Sequence, residues 1–134
     1  MVACDRGDCG CNGGWLYRAF NYIKGSRGLV LNTDYTYTSY GGTTGTCDPS
    51  KLVNPVAAIT QYYSLTNEAD MAAYVQATGP ISFAVAANDM QTYTGGVMTT
   101  CVSNVVNHVV QAVGICVGAS CDGGFSYWKV RNQW

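Results

Sequence analysis

The chain contains a single histidine, and it stands at the beginning of a run of residues that is typical of a β-strand. His108 is followed by VVQAV at positions 109–113, and β-branched and small apolar residues of this kind predict a buried strand. An imidazole titrates close to neutral pH, so it can take a proton from a nucleophile and later return it to a leaving group. A lone histidine at a strand end more often has a structural role, so the motifs elsewhere must decide whether His108 is a base.

Cysteines are the second chemical feature, since seven of them occur in 134 residues. This density in a short chain predicts disulfides and an oxidising compartment. A zinc site would need Cys-x-x-Cys pairs with further ligands at set spacing, whereas the one close pair is the Cys-Gly-Cys of residues 9–11. We therefore expect no metal and no other cofactor. Because seven is odd, at least one cysteine has no partner within the chain.

The charge pattern argues against two classes of partner. Charged residues make up 11% of the chain, the net charge is −1, and there is no basic patch or run of like charge. Binding to nucleic acid or to an anionic membrane surface is therefore not expected. No stretch is long and apolar enough to span a bilayer, and the first residues lack the apolar block of a signal peptide.

The elements that would position these residues are helical in the first half of the chain. Apolar residues at positions 16, 19, 20 and 23 share one helix face, and Gly25 and Gly28 mark the end of that helix. A second helix is predicted in residues 66–79, with Thr66 or Asn67 as its cap.

The core face of this second helix is predicted to carry Met71 and Val75, and less strongly Tyr74. Three strands follow, in residues 81–87, 108–116 and 125–134. Helices first and antiparallel strands later make an α+β layout with a boundary near Gln61.

Four motifs occur along the chain in a fixed order. They are CGCNGG at 9–14, GPISFAVAA at 79–87, NHVVQAVG at 107–114 and YWKVRNQW at 127–134. Together they resemble the papain family of cysteine peptidases, which includes cathepsins L and B. The resemblance covers essentially the whole chain. It implies a two-lobe α+β fold, with a helical, Cys-rich left lobe in residues 1–61 and an antiparallel, β-barrel-like right lobe in residues 62–134.

The same resemblance implies a cysteine endopeptidase with a Cys-His-Asn site. His108 matches the catalytic base and Asn132 matches the amide that orients it, while Trp134 matches the indole that shields this pair and Asn107 flanks the base. The family's nucleophile lies in a Q-x-x-x-C-G-S-C-W segment that this sequence lacks, so we expect the fold to be incomplete at both ends.

A preceding segment or a companion chain is expected to carry the nucleophile and to pair with Cys11. Cys11 itself precedes a helix, and helix N-termini lower thiol pKa values. We do not favour Cys9 or Cys11 as the nucleophile, because the family uses the cysteine that Cys11 matches in a structural bridge.

Peptides or proteins are the substrates that the resemblance implies. Gly14, and with it Gly13, would expose backbone to an extended peptide, although a tight turn would also explain these glycines. The pocket for the second residue before the cleaved bond would be lined by Leu16, Ala84 and Val109, which predicts a preference for aliphatic or aromatic side chains.

Disulfide pairing is also implied by the resemblance rather than by spacing. Cys4 and Cys47 match a disulfide of the family, and Cys101 matches a cysteine whose partner lies in the family's C-terminal part. Cys116 and Cys121 flank a turn. Two alternatives are equally open for them: a disulfide between the two, or two free thiols. Cys9 matches no cysteine of the family.

The motif Asn132-Gln133-Trp134 departs from the family's Asn-Ser-Trp.

Two alternatives to an active peptidase remain. One is a non-catalytic papain-like pseudo-protease that serves as a binding or structural component, and the other is a relative in which serine replaces the cysteine nucleophile. The identity of the residue at the nucleophile position discriminates among the three. The cysteines and the resemblance together favour a lysosomal, vacuolar or secreted location.

Overall fold

The computed structural model describes all 134 residues, Met1–Trp134, as two compact units, Met1–Tyr63 and Ser64–Trp134. The elements are helices α1 (Leu16–Gly25) and α2 (Glu68–Ala77), strands β1 (Ile81–Val85), β2 (His108–Cys116) and β3 (Tyr127–Arg131), and four short 3-10 turns. The strands form one antiparallel sheet, so the α+β class is confirmed. The lobe boundaries 1–61 and 62–134 stay a prediction about the complete fold.

The first unit is organised around α1. This helix has the predicted limits, and its apolar face is half-buried. Phe20 stacks on Tyr62 with 5.3 Å between ring centroids, and the Tyr62 hydroxyl donates to Asn21 Oδ1 at 3.2 Å. These contacts attach the last residues of the unit to the middle of the helix.

The chain leaves α1 through a close backbone approach at Gly28. Its φ is +128°, and a Cβ at this position would lie 2.3 Å from the carbonyl oxygen of Ala57. Glycine is required here because both the dihedral angle and the space exclude a side chain. The approach allows a short antiparallel bridge between Leu29 and Ala57.

The second unit begins with α2. The predicted cap at Asn67 is confirmed, since its Oδ1 accepts from the backbone N–H of Asp70 at 2.8 Å. Val75 is 8% exposed and faces the core as predicted, but Tyr74 is 38% exposed. The prediction for Tyr74 was wrong because successive residues of an α-helix point about 100° apart, so a residue next to Val75 faces away from the core.

The three strands pair in chain order, β1–β2–β3. On one face, Phe83 pairs with Val110 and Ile81 with Ala112, and Val110 and Ala112 are 4% and 0% exposed. Helix α2 contacts β1 and β2. We attribute to this contact the fact that one face of the sheet is buried and the other is not.

The prediction that β2 is buried throughout was therefore wrong, since Val109 and Val113 on the opposite face are 41% and 44% exposed. β3 is also shorter than the predicted 125–134. It lies at the edge of the sheet, and Lys129, Val130 and Arg131 are all exposed.

Candidate active site

His108 is the first residue of β2, and its imidazole is hydrogen-bonded to a side chain that follows β3. The distance from His108 Nε2 to Asn132 Oδ1 is 2.7 Å. β2 and β3 are antiparallel, with Gln111 opposite Arg131, so the beginning of β2 necessarily lies beside the end of β3. Sheet register thus brings together two residues that are 24 positions apart in the chain.

The amide of Asn132 determines the tautomer of this histidine. Asn132 Oδ1 also accepts from the backbone N–H of Gln133 at 2.8 Å. This identifies the atom as the oxygen, because an amide nitrogen in its place would point its own N–H at the N–H of Gln133. An oxygen accepts only, so Nε2 must carry the proton. The neutral ring therefore has its lone pair on Nδ1, and Nδ1 is the atom that can act as a base.

Trp134 covers one face of the imidazole. The two rings are stacked, with 4.5 Å between centroids and 14° between planes. Trp134 is 64% exposed, and its stacking places the indole beside the His108–Asn132 hydrogen bond. That the indole shields this bond stays a prediction.

Asn107 holds the backbone that precedes the histidine. Its Oδ1 accepts from the N–H of Ala87 at 2.9 Å, its Nδ2 donates to Asn88 Oδ1 at 2.7 Å, and its backbone N–H donates to Val85 at 3.0 Å. Asn107 therefore anchors the start of β2 to the segment that follows β1, and these bonds do not involve the imidazole.

Two of the predicted substrate contacts lie in the second unit. Ala84 and Val109 are directly opposite each other in the β1–β2 register, and both are exposed. Ala84 also lines an open groove of about 670 Å³, together with Met90 and Cys101. Met90 lies in the 3-10 turn Asn88–Thr92, and no pattern in the sequence singled it out.

The other predicted substrate contacts lie in the first unit, around the beginning of α1. Gly13 has a φ of +93°, so the turn itself requires glycine there. Gly14 is exposed, but a Cβ on it would lie 2.3 Å from the carboxyl carbon of Asp8. Leu16 is the first residue of α1 and is half-buried.

Asp8 was missed in the sequence, and it explains part of this local structure. Its Oδ1 accepts from the backbone N–H of Trp15 at 2.8 Å, which satisfies a donor at the beginning of the helix. An acidic residue shortly before a helix was the available signal. The glycine at position 14 therefore has a packing reason that is independent of any substrate.

The cysteines divide into two disulfides and three free thiols. Cys4 is bonded to Cys47 and Cys116 to Cys121, while Cys9, Cys11 and Cys101 are free. No group of three or more His, Cys, Asp or Glu side chains is arranged to hold a metal ion. Neither α1 nor α2 has the length and apolarity that a membrane crossing requires.

An imidazole with an amide on Nε2, a lone pair on Nδ1 and an indole over one face is prepared to deprotonate a neighbouring nucleophile. Hydrolases that form a covalent intermediate through a thiol or hydroxyl use a histidine arranged in this way. The profile of the papain family cysteine proteases matches residues 1–134. The chain belongs to the papain family of cysteine proteases.

Individual relatives agree with this assignment. A cysteine proteinase of Trypanosoma brucei brucei is 35% identical over 137 residues, and cysteine proteinase A of Leishmania mexicana is 38% identical over 137 residues. Each alignment covers 100% of this chain, but 29% and 37% of the respective relative. The chain thus spans about a third of the length of these curated relatives.

Solved structures place the fold in the same family. The bromelain protease from Ananas comosus, in complex with the inhibitor E64, superposes with a TM-score of 0.84 at 35% identity, over 99% of this chain and 59% of that one. Digestive procathepsin L 3 from Tenebrio molitor gives a TM-score of 0.80 at 32% identity, over 99% and 43%. The papain-like fold expected from the motifs is confirmed.

Proposed function

We propose that this chain is part of a papain-like cysteine endopeptidase that hydrolyses peptide bonds in peptides and proteins through a Cys-His-Asn site. The observation that carries the proposal is the 2.7 Å hydrogen bond between His108 Nε2 and Asn132 Oδ1. It leaves Nδ1 as the base, which is the arrangement that thiol activation requires. Membership of the papain family supports the same reaction.

His108 acts twice in the proposed mechanism. It first takes the proton of the nucleophilic thiol, and the thiolate attacks the scissile carbonyl to form an acyl-enzyme. The resulting imidazolium then protonates the leaving amine, and the neutral ring activates the water that hydrolyses the acyl-enzyme. Both transfers use Nδ1, because Nε2 donates to Asn132 throughout.

Asn132 and Trp134 are positioning residues in this proposal. The amide oxygen of Asn132 holds the tautomer, and Trp134 is proposed to keep water from competing for the N–H of Nε2. Asn107 contributes indirectly by fixing the backbone on which the imidazole is carried.

The nucleophilic cysteine is proposed to lie outside these 134 residues. In the unit that carries His108, Cys101 is the one free thiol, and its Sγ donates to the carbonyl oxygen of Ser103 at 2.9 Å rather than to the imidazole. Cys11 matches a bridging cysteine of the family, so we propose that it pairs with the segment or companion chain that carries the nucleophile.

Substrate recognition is proposed to use exposed apolar surface and exposed backbone. Ala84 and Val109 are small, exposed and adjacent, and Leu16 contributes a third apolar side chain. None of the three can pair with a cation, so aliphatic or aromatic substrate side chains are expected. Gly14 is proposed to offer its backbone to an extended peptide, since its N–H and C=O carry no adjacent Cβ.

The test is hydrolysis of a fluorogenic peptide amide by the full-length protein that contains this chain. His108→Ala should lower kcat by about 10²-fold to 10⁴-fold, as expected for loss of a general base. Cys9→Ser is the matched control, because Cys9 is exposed and matches no cysteine of the family, and its activity should equal that of the wild type. Loss of activity in Cys9→Ser would place the nucleophile within this chain and contradict the proposal on that point.

Alkylation separates the proposal from its alternatives. Iodoacetamide should label a cysteine outside residues 1–134, and His108→Ala should slow that labelling. Labelling of a serine by a phosphonate, with no reactive thiol, would indicate the serine relative. Absence of hydrolysis and of either label would indicate a non-catalytic pseudo-protease with a binding or structural role.

A lysosomal, vacuolar or secreted location is proposed as well. The two disulfides support an oxidising compartment. Fractionation of the source cells tests this, and recovery of the protein in the cytosol with its cysteines reduced would contradict it.

A further inference from the structure

Strand β3, which leads directly to Asn132, lies at the edge of the sheet and pairs only with β2. This pairing is irregular, because the register between the two strands shifts between Ala112 and Gly114. Such a bulge disrupts the ladder and allows a strand to bend. Backbone pairing alone therefore holds the end of β3 less firmly than a regular ladder would.

A side-chain hydrogen bond provides a second attachment for this edge strand. The indole N–H of Trp128 donates to Glu68 Oε1 at 2.8 Å, across 60 positions of sequence, and a carboxylate is a stronger acceptor than a neutral group. Trp128 is half-buried in β3, and Glu68 is the first residue of α2. Helix α2 is a firm support, because it also packs on β1 and β2 and buries Val75. Strand β3 is thus attached to the helix as well as to β2.

The attachment and the candidate active site lie on one face of the sheet. Successive residues of a strand point to opposite faces, so Trp128 and Val130 share a face. Val130 pairs with Ala112, which is fully buried on the side that α2 contacts. His108, four residues before Ala112 in the same strand, points to that side as well and meets Asn132 there. A shift of Trp128 relative to α2 would therefore be carried along β3 to the Asn132 amide.

We propose that Glu68 and Trp128 are positioning residues for the hydrogen bond between His108 and Asn132. Neither forms a hydrogen bond with the imidazole; they fix β3 against α2, and the fixed strand holds the Asn132 oxygen at 2.7 Å from Nε2. An N–H···O bond weakens beyond about 3.2 Å, so a displacement of about half an ångström is enough to loosen it. The consequence for catalysis rests on the proposed peptidase function, whereas the consequence for the hydrogen bond does not.

The kinetic test compares Glu68→Ala with Glu68→Gln in the full-length protein. Both variants remove the charge at the first position of α2, but glutamine keeps an oxygen that accepts from Trp128. Glu68 is exposed, so neither change opens a cavity. Glu68→Ala should lower kcat for a fluorogenic peptide amide about three- to tenfold, as expected for loss of one hydrogen bond, with KM unchanged. Glu68→Gln should retain most of the wild-type kcat.

The N–H at Nε2 of His108 reports the geometry without any need for activity. Proton NMR of the full-length protein should show this hydrogen-bonded N–H as a separate downfield resonance, identified by its loss in His108→Ala. In Glu68→Ala the exchange of this proton with water should be about three- to tenfold faster, because the bond to Asn132 opens more often. The resonance in Glu68→Gln should resemble that of the wild type.

Trp128→Phe tests the donor of the same bond. Phenylalanine keeps an aromatic ring in β3 but has no N–H, so kcat and proton exchange should change as they do in Glu68→Ala. The double variant Glu68→Ala/Trp128→Phe should be no worse than either single variant, because both substitutions remove one shared interaction.

An unchanged kcat and an unchanged Nε2–H resonance in Glu68→Ala would overturn the proposal, even if the variant unfolds more easily, because the bond would then have a structural role only. Additive losses in the double variant would overturn it equally. If the wild-type protein hydrolyses no peptide, the proposed function fails and the resonance alone decides. Faster exchange in Glu68→Ala then supports positioning, and equal exchange contradicts it.

Discussion

At the scale of single residues, the imidazole of His108 depends on the two side chains that contact it. The Asn132 oxygen accepts from Nε2, and Trp134 stacks on the ring. If His108 is the base, as proposed, both side chains act through its orientation and tautomer and neither has to touch the substrate. Their removal should therefore affect the chemical step rather than substrate binding.

Trp134→Ala tests this expectation in the full-length protein. A stacked aromatic pair contributes about 0.5–1.5 kcal/mol, so kcat should fall by about two- to tenfold while KM stays within error. Trp134→Phe keeps an aromatic face over His108 and should recover most of the loss. An increase in KM with unchanged kcat would instead show that Trp134 contacts substrate and does not position the base.

At the scale of elements, local polar side chains determine where the helices and turns begin. Asn67 caps α2 by accepting from Asp70 N–H, and Asp48 caps the turn Pro49–Lys51 by accepting from Ser50 N–H. Each satisfies backbone donors that have no partner within the element. These caps define the ends of the elements, so their removal should destabilise the protein without changing the geometry of the site.

Asn67→Ala should lower the free energy of unfolding by about 1 kcal/mol, because it leaves the Asp70 N–H without its acceptor. Asn67→Ser keeps a capping oxygen without placing a second carboxylate beside Asp70, whose Oδ2 accepts from Asn67 Nδ2 at 2.6 Å, and is the matched control. Urea unfolding of the full-length protein measures both variants. If alanine and serine have equal effects, the hydrogen bond to the Asp70 N–H is not what stabilises the beginning of α2.

Asp48 provides a test of how the stability of the folded state depends on pH. The pKa of its carboxyl is lowered from 3.8, chiefly by the hydrogen bond that the Ser50 hydroxyl donates. A lowered pKa in the folded state means that stabilisation is present above pH 3.8 and is lost as the pH falls through the folded-state value.

The matched variant is Asp48→Asn, which keeps an accepting oxygen but carries no charge. The difference in thermal midpoint between wild type and Asp48→Asn should be present at neutral pH and should disappear in strong acid. A difference that stays constant from neutral to acidic pH would show that the charge of Asp48 contributes nothing.

At the scale of the whole molecule, the two disulfides close loops of very different length. Cys4 and Cys47 are 43 positions apart, whereas Cys116 and Cys121 are 5 apart. A crosslink that closes a longer loop removes more conformational entropy from the unfolded chain. The contribution of each disulfide should therefore follow the length of its loop.

Replacing both cysteines of a pair by alanine tests this relation. In the chain-entropy account, loss of Cys4–Cys47 should cost about 4 kcal/mol of unfolding free energy, and loss of Cys116–Cys121 about 2 kcal/mol. Guanidinium unfolding of the two double variants gives the comparison directly. A larger cost for the short loop would mean that local packing around Cys121, which is 6% exposed, outweighs chain entropy.

The sequence by itself determined the elements and the family. Helix periodicity placed α1, a capping residue placed the start of α2, and four ordered motifs identified the papain family, because each of these signals is local. The chemical type of His108 and Asn132 was also visible, since their motifs flank predicted strands.

Only the tertiary structure decided which atoms meet and which faces are buried. The antiparallel register of β2 and β3 brought His108 to Asn132, and the hydrogen bond to Nε2 leaves the lone pair of the neutral ring on Nδ1. Burial of one face of β2 depends on packing against α2, a segment distant in the sequence. No local pattern encodes such contacts, because they arise when the chain folds back on itself.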